Sequence, residues 1–331
     1  MRIAGSVTLA HPALMRPRND SDYRTLLWAF VLFPLAPGLS YWRPSLALWL
    51  LPLGLYCAYC SGVFTHNQTH CSVFAGRAPT LFYSAWLSIF YGCPIAAWIP
   101  THVLNHHRFP NREPDVTRTD RHSGEHTLWQ ALRYTLMAGA WQLPLVLEYA
   151  RRVRRKQNQK WRDVCVQTSA LVLAQLGLCV LAIWLHGPRI GVATYAVAVL
   201  LPALLAPHFM FFTNYIQHVH CDAASPDDYC RNFVSPFANW LVFQNGYHTV
   251  HHEQPSTHWS LYPALHAARQ HRIHPSLNVR SMFGFCVENY VLRGVSRRFG
   301  TAPLGGVSRV DAGTGRQLQP VVNVGPTSSV R

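Results

Sequence analysis

The sequence predicts an all-α integral membrane protein: four transmembrane helices in two hairpins, further helices lying in the membrane interface, and a cytosolic His-rich cap. Three observations carry that expectation. Charged residues make up 13% of the 331-residue chain while 49% of it is hydrophobic. A soluble domain carries about 25% charged residues, so lipid as a second solvent explains the deficit. Apolar runs of bilayer length come in pairs split by very short turns. The basic residues and the histidine clusters, read separately, put the same segments on one side of the membrane.

The first 23 residues lack an apolar core adequate for a cleaved secretory signal and read as a cytoplasmic segment. The first pair of runs is about 24–40, RTLLWAFVLFPLAPGLS, and 45–64, SLALWLLPLGLYCAYCSGVF, with only YWRP between them. The second pair is about 164–186, VCVQTSALVLAQLGLCVLAIWLH, and 190–213, IGVATYAVAVLLPALLAPHFMFFT, turned by GPR. Two other apolar runs, 79–100 and 131–149, are constrained by what flanks them. HNQTH (66–70) and HVLNHH (102–107) bracket the first, so if these histidines act together that run re-enters or lies in the interface. RRVRRKQNQK (151–160) is the strongest cytoplasmic signal by the positive-inside rule, so the 131–149 run also fails to cross. Both termini and every histidine cluster then face the cytoplasm. The polar stretch 217–275 reads as the cap, 24–299 as one membrane domain, and the Gly-, Ser-, Val- and Pro-rich 300–331 as a disordered tail.

The net charge is +15, and all but Lys156 and Lys160 of the 29 basic residues are Arg. No basic stripe alternates with exposed aromatics, so the charge reads as topology and attraction to anionic lipid rather than nucleic-acid binding. The nine cysteines show no disulfide framework. Cys57 and Cys60 form C-x-x-C inside an apolar run with no second pair, which reads as small buried side chains.

Nineteen histidines are the outstanding feature. His66 and His70 are i,i+4, as are His102 and His106, with His107 adjacent; His248, His251 and His252 are i, i+3, i+4. On α-helices each set presents imidazoles from one face to a metal. His218, in NYIQHVH, is a ninth ligand, with His220 as its alternative. Nine imidazoles exceed one ion's needs and suit two ions of five or six coordination. His258, in STHW, reads as a residue behind the ligands or at a substrate mouth, and Asp222 and Asp228 as carboxylates that either orient ligand rings or sit in a solvated loop. His208 reads as a hydrogen-bonded interior residue; His11, His122, His126, His186, His266, His271 and His274 read as solvated or packing residues. No E-x-x-H, H-E-x-x-H, G-x-G-x-x-G or P-loop occurs, which removes carboxylate-bridged di-iron bundles, zinc-protease helices and nucleotide folds.

The three boxes HNQTH, HVLNHH and NGYHTVHH, in that order, resemble the membrane fatty acid desaturase superfamily, over about 24–275. The resemblance implies a four-helix stem under a cytosolic cap and a non-haem di-iron centre held by His66, His70, His102, His106, His107, His248, His251 and His252, with NYIQH contributing His218. It implies an O₂-dependent oxidoreductase acting on a lipid acyl chain, a desaturase in the first place. A hydroxylase, a carotenoid ketolase or an alkene-forming decarboxylase shares the same boxes. Electrons come from an external ferredoxin or cytochrome b5 type of donor, since no fused haem, flavin or ferredoxin pattern is present. Arg151, Arg152, Arg154 and Arg155 either dock that donor or report topology alone. A metal transporter is the rival from another class, but it needs histidines and acids in mid-helix, whereas these clusters sit past the ends of the apolar runs.

Overall fold

The computed structural model describes residues 16–296 and 298–305, together with the backbone of two short paired strands, Arg309–Val310 and Gln317–Leu318. His11, the rest of 1–15 and most of the expected tail beyond 305 lie outside the described residues.

Helix α1 (Asp22–Trp42) and helix α2 (Pro44–His70) are apolar enough and long enough to cross a membrane. Arg43 alone separates them, extended at φ −140°, with Pro44 pre-set for the first turn of α2. Helix α2 outlasts its apolar run and carries HNQTH on its last turns.

Helix α3 (Arg77–Tyr91) and helix α4 (Ile95–His106) are bent by 88° at their junction. Gly92 makes the break with φ 71°, and a Cβ there would stand 2.2 Å from the Ala203 carbonyl oxygen. Only glycine meets both demands. The backbone groups freed by the break are satisfied from a neighbouring helix: Ala96 N donates to Gln167 Oε1 at 2.9 Å, and Gln175 Nε2 donates to the Ile89 carbonyl at 3.1 Å. In an apolar setting an unpaired amide costs several kcal/mol, of order 4–8, so these two glutamines hold the bend. As expected, the 79–100 run is not one straight span, and its two ends bring HNQTH and HVLNHH together.

Helix α5 (Leu128–Arg155) is capped by Thr127, whose side chain accepts from Gln130 N, and its last turn carries Arg152, Arg154 and Arg155, the charges its dipole favours there. It buries Ala131, Tyr134 and Ala138 and exposes Leu132, Leu136, Leu143 and Leu147.

The segment Gln159–His218 is apolar and helical throughout except at Gly187 (φ 75°, ψ 167°). There it folds back into helix α6 (159–186) and helix α7 (188–218). Tyr195 donates to Gln175 Oε1 at 2.9 Å although twenty residues separate them, where a straight helix would hold them roughly 30 Å apart. The two hairpin tips are tied together at the end far from the boxes: His186 Nε2 lies 2.6 Å from the Tyr41 carbonyl and Tyr41 donates to the Leu178 carbonyl at 3.0 Å. Between α2 and α7, Gly54, Ala58 and Gly62 form a small stripe at four-residue spacing. A Cβ on Gly62 would meet Met210 Cγ at 2.5 Å, and one on Gly54 would meet Pro202 at 3.4 Å. Small residues let helices in lipid approach closely, where dispersion replaces the hydrophobic effect.

Beyond α7 the chain forms a compact cap of short elements: strand β1 (Asn232–Phe233) parallel to β2 (Asn278–Val279), and helices α8 (Pro236–Leu241), α9 (His248–Glu253), α10 (Tyr262–Arg269) and α11 (Met282–Val287), the last continuing helically to Val295. Asn232 holds Thr249 at both its amide, 2.9 Å, and its hydroxyl, 2.8 Å. That pair sets α9, and so the last histidine box, against the end of α7.

Candidate metal centre

Each box is carried by a different element. His66 and His70 lie on the last turns of α2; His102 and His106 lie on α4, with His107 just past it; His218 ends α7; His248, His251 and His252 lie on α9. All nine converge. They form two nests, His66, His70, His102, His107 and His251 in one, and His106, His218, His248 and His252 in the other; within each, one ring nitrogen per residue lies within 4.8 Å of the rest.

The division between the nests differs from what α-helical spacing suggests. His102 and His106, i,i+4, do not share a nest. Residues 99–106 are π-helical, and the His107 amide donates to the His102 carbonyl, an i→i+5 bond, at 2.9 Å. The wider turn superposes His102 with His107, whose Nε2 atoms are 3.0 Å apart, and turns His106 to the other nest. Pro100 lies in this turn; a proline has no amide to close an α turn. Two of the three other π turns among the described residues, Trp28–Leu32 and Ala196–Leu200, stand just before Pro34 and Pro202. Helix α9 is divided as well: His248 and His252 share one nest at 3.1 Å, while His251 faces the other.

The nitrogen separations bear on what the nests hold. In the five-residue nest, His251 Nε2 lies 2.8 Å from His66 Nε2 and 2.9 Å from His107 Nε2. In the four-residue nest, His218 Nε2 and His248 Nε2 are 3.0 Å apart. Neighbouring ligands on a six-coordinate ion with metal–nitrogen bonds of about 2.1 Å stand about 3 Å apart. His70 Nε2 and His106 Nε2 are buried with no hydrogen-bond partner, a costly state for a polar atom unless a ligand takes it up. Burial also pushes His248, His251 and His252 well below the ordinary imidazole range, with neighbouring imidazoles adding to the effect. They are neutral, the form that binds metal. The donor sets fit two ions.

Behind the rings stand groups that fix their orientation. Tyr229 O lies 3.1 Å from His218 Nδ1, and Tyr262 Oη lies 3.1 Å from His251 Nδ1. Asp115 is fully buried and lies 2.8 Å from His106 Nδ1. Burial alone would raise its pKa. The neighbouring His106 and hydrogen bonds from Thr117 outweigh that and hold it below the ordinary carboxylate range. Sequence reasoning missed Asp115. The available signal was an acid in REPDVT, eight residues past His107, followed by a threonine able to close a turn on it.

The other sequence candidates do not reach the nests. His220 is bonded to Thr301 and the Gly124 carbonyl. His258 Nε2 pairs with Asp22 Oδ2 at 3.1 Å, tying the cap to the start of α1. Asp222 accepts from Ala224 N and braces its own loop, whereas Asp228 accepts from His274 N at 2.7 Å and ties that loop to the segment after α10. His208 has the expected interior bond, to the Thr135 carbonyl at 2.9 Å. His126 is a packing residue, buried between Tyr290 and Thr301, and His186 and His266 are packed too. His122, His271 and His274 are exposed.

A cavity of about 210 Å³ adjoins both nests. Its lining includes His66 and His102 of the first nest, His106 and His248 of the second, the apolar side chains of Trp98, Met210 and Phe211, and the half-exposed Leu143 of α5.

The sequence model described as fatty acid desaturase matches residues 40–281, well over half of the chain and all nine clustered histidines. The chain belongs to the fatty acid desaturase family. Membership makes it an oxidoreductase in general terms, and its apolar helices accord with a membrane enzyme. No curated protein and no solved structure matches this desaturase-family chain significantly.

Proposed function

We propose that the chain is an O₂-dependent, non-haem di-iron desaturase that introduces a double bond into a lipid acyl chain. The observation that carries this reading is the apolar cavity lined by imidazoles from both nests at once. His66, His70, His102, His107 and His251 hold one iron, and His106, His218, His248 and His252 the other. Neutral imidazole suits iron, and an iron pair, when bound, supplies the reduction of O₂ that makes an unactivated C–H bond reactive.

The remaining tasks belong to the chain's own residues. Trp98, Met210 and Phe211 exclude water and hold a methylene chain against the histidine wall. Asp115 keeps the His106 ring turned so that Nε2 faces its nest. Placement to within about an ångström separates loss of two hydrogens from oxygen insertion, so hydroxylation, ketone formation and oxidative decarboxylation are the competing outcomes of one site. A transporter is disfavoured because the nine histidines gather into two compact nests instead of lining a path along a helix.

In the bilayer α1, α2, α6 and α7 cross, α3 and α4 re-enter, and α5 lies in the interface, with nests and both termini cytoplasmic. Aromatic girdles support the depth: Trp42, Trp49 and Trp184 are exposed near the hairpin tips, and Tyr23, Trp129 and Trp240 toward the histidine end. Arg151, Arg152, Arg154 and Arg155 are exposed; the positive-inside rule puts them on the cytoplasmic side, where an acidic ferredoxin or cytochrome b5 type of donor would dock. The test is turnover of the reduced, iron-loaded protein with isotopically labelled O₂ and mass analysis of lipid products. A product two hydrogens lighter with no label is expected; label in the lipid would replace desaturation by hydroxylation.

A further inference from the structure

The family match stops at residue 281, and a helix begins at once. Ser281 caps it, its hydroxyl accepting from Gly284 N at 3.1 Å. Over 282–295 the helix is two-faced. One half is locked to the body: Phe285 and Asn289 are buried, Met282, Cys286 and Tyr290 pack on the cluster formed by Ala131, Tyr134, Tyr215 and Ile216, and Tyr290 Oη lies 2.8 Å from His126 Nε2. Thr301 N donates to Asn289 Oδ1 at 2.9 Å, so the chain beyond the helix is held as well.

The other half turns outward and is apolar. Phe283 is 80% exposed, Val291 59% and Val295 84%, with Leu292 beside them. Glu288 is the one charged residue on this face. A helix face meant for water carries polar residues across the whole arc. Exposed Arg280 and Arg298 flank the face at its two ends. The locked half rests on the start of α5, whose own outward residues Trp129, Leu132 and Leu136 are exposed and apolar. The outward face of 282–295 thus continues a surface suited to hydrocarbon, with basic residues at its ends.

We propose that the outward face of helix 282–295 docks on an anionic phospholipid surface, with Phe283, Val291 and Val295 at the acyl boundary and Arg280 and Arg298 among the headgroups. Apolar area and electrostatic attraction to anionic lipid are the two sources of interfacial helix binding, and this face has both. Docking pins the end of the cap, including the Thr301 strap that holds His126 and His220, whatever reaction the nests perform.

The experiment places a photo-crosslinking amino acid at Phe283, Val291 or Val295 in the full chain, in nanodiscs of mixed phosphatidylcholine and phosphatidylglycerol. Leu173, exposed on α6, serves as the lipid-facing control and His271, exposed on the cap, as the aqueous one. The expected result is an intact-mass gain of one phospholipid at all three positions, as at Leu173, and none at His271. The yield at Phe283 falls at least several-fold in nanodiscs of phosphatidylcholine alone or in the double variant Arg280→Gln, Arg298→Gln. Crosslinking to a second copy of the chain, or no lipid adduct while Leu173 labels, overturns the proposal; labelling without dependence on anionic lipid removes its electrostatic part.

Discussion

The two histidine nests are built from the same side chain but supported differently. The five-residue nest draws on all three boxes, and its rings pack nitrogen to nitrogen at 2.8–3.0 Å around His107 and His251. The group behind His251 is the neutral hydroxyl of Tyr262. The four-residue nest takes His218 from the end of α7, outside the boxes, and has the buried Asp115 behind His106. A cation in the first nest would meet neutral donors, while one in the second would have a carboxylate one ring away. A carboxylate behind a ligating imidazole raises its basicity and fixes its tautomer. The two metal positions are inequivalent, and the loop 107–117 that supplies Asp115 is as much a part of the site as the boxes.

Substitutions can break or sharpen that contrast. The largest effect is expected from His251→Ala, which removes the ring lying against both His66 and His107. Turnover should fall below detection and metal should leave the five-residue nest, while membrane insertion persists; full activity would remove His251 from the ligand set. His218→Ala comes next. It should lower bound metal by about half and turnover by roughly a hundredfold or more, with loss confined to the four-residue nest. Equal loss from both nests would show a single cooperative site instead. Asp115→Asn keeps the shape but not the charge. Metal binding at the four-residue nest should weaken by about 10–100-fold, measured by competition with a chelator, and the other nest should hardly change. His258→Ala should do least. It cuts the tie to Asp22 at a cost of about 1–2 kcal/mol, visible as a lower unfolding temperature, with activity within about twofold.

The amino-acid pattern made some of this legible. YWRP and GPR marked the hairpin turns because they are the short breaks between paired apolar runs of bilayer length, and the nine clustered histidines could be named from spacing and position. Their partition could not. It depends on a π turn in which Pro100 lies, and an α-helical wheel puts His106 on the wrong side. Asp115 escaped because its contact with His106 comes from a loop closing on itself through Asn111 and Thr117, not from any helical interval. Asp222 and Asp228 drew attention by lying near His218 in sequence, yet Asp222 serves its own loop and Asp228 holds the backbone at His274. His126, one of the scattered histidines, is buried by residues from 290 and 301, a contact with no local signature.

The central claim is that two unequal nests hold a pair of irons beside one apolar cavity. The direct measurement is X-ray absorption at the iron edge, with iron counted per chain, on protein purified from membranes and loaded under reducing conditions. About two irons per chain are expected, with a nitrogen-dominated shell at about 2.1 Å. Retention of a single ion, or of no iron under saturating conditions, would contradict the claim.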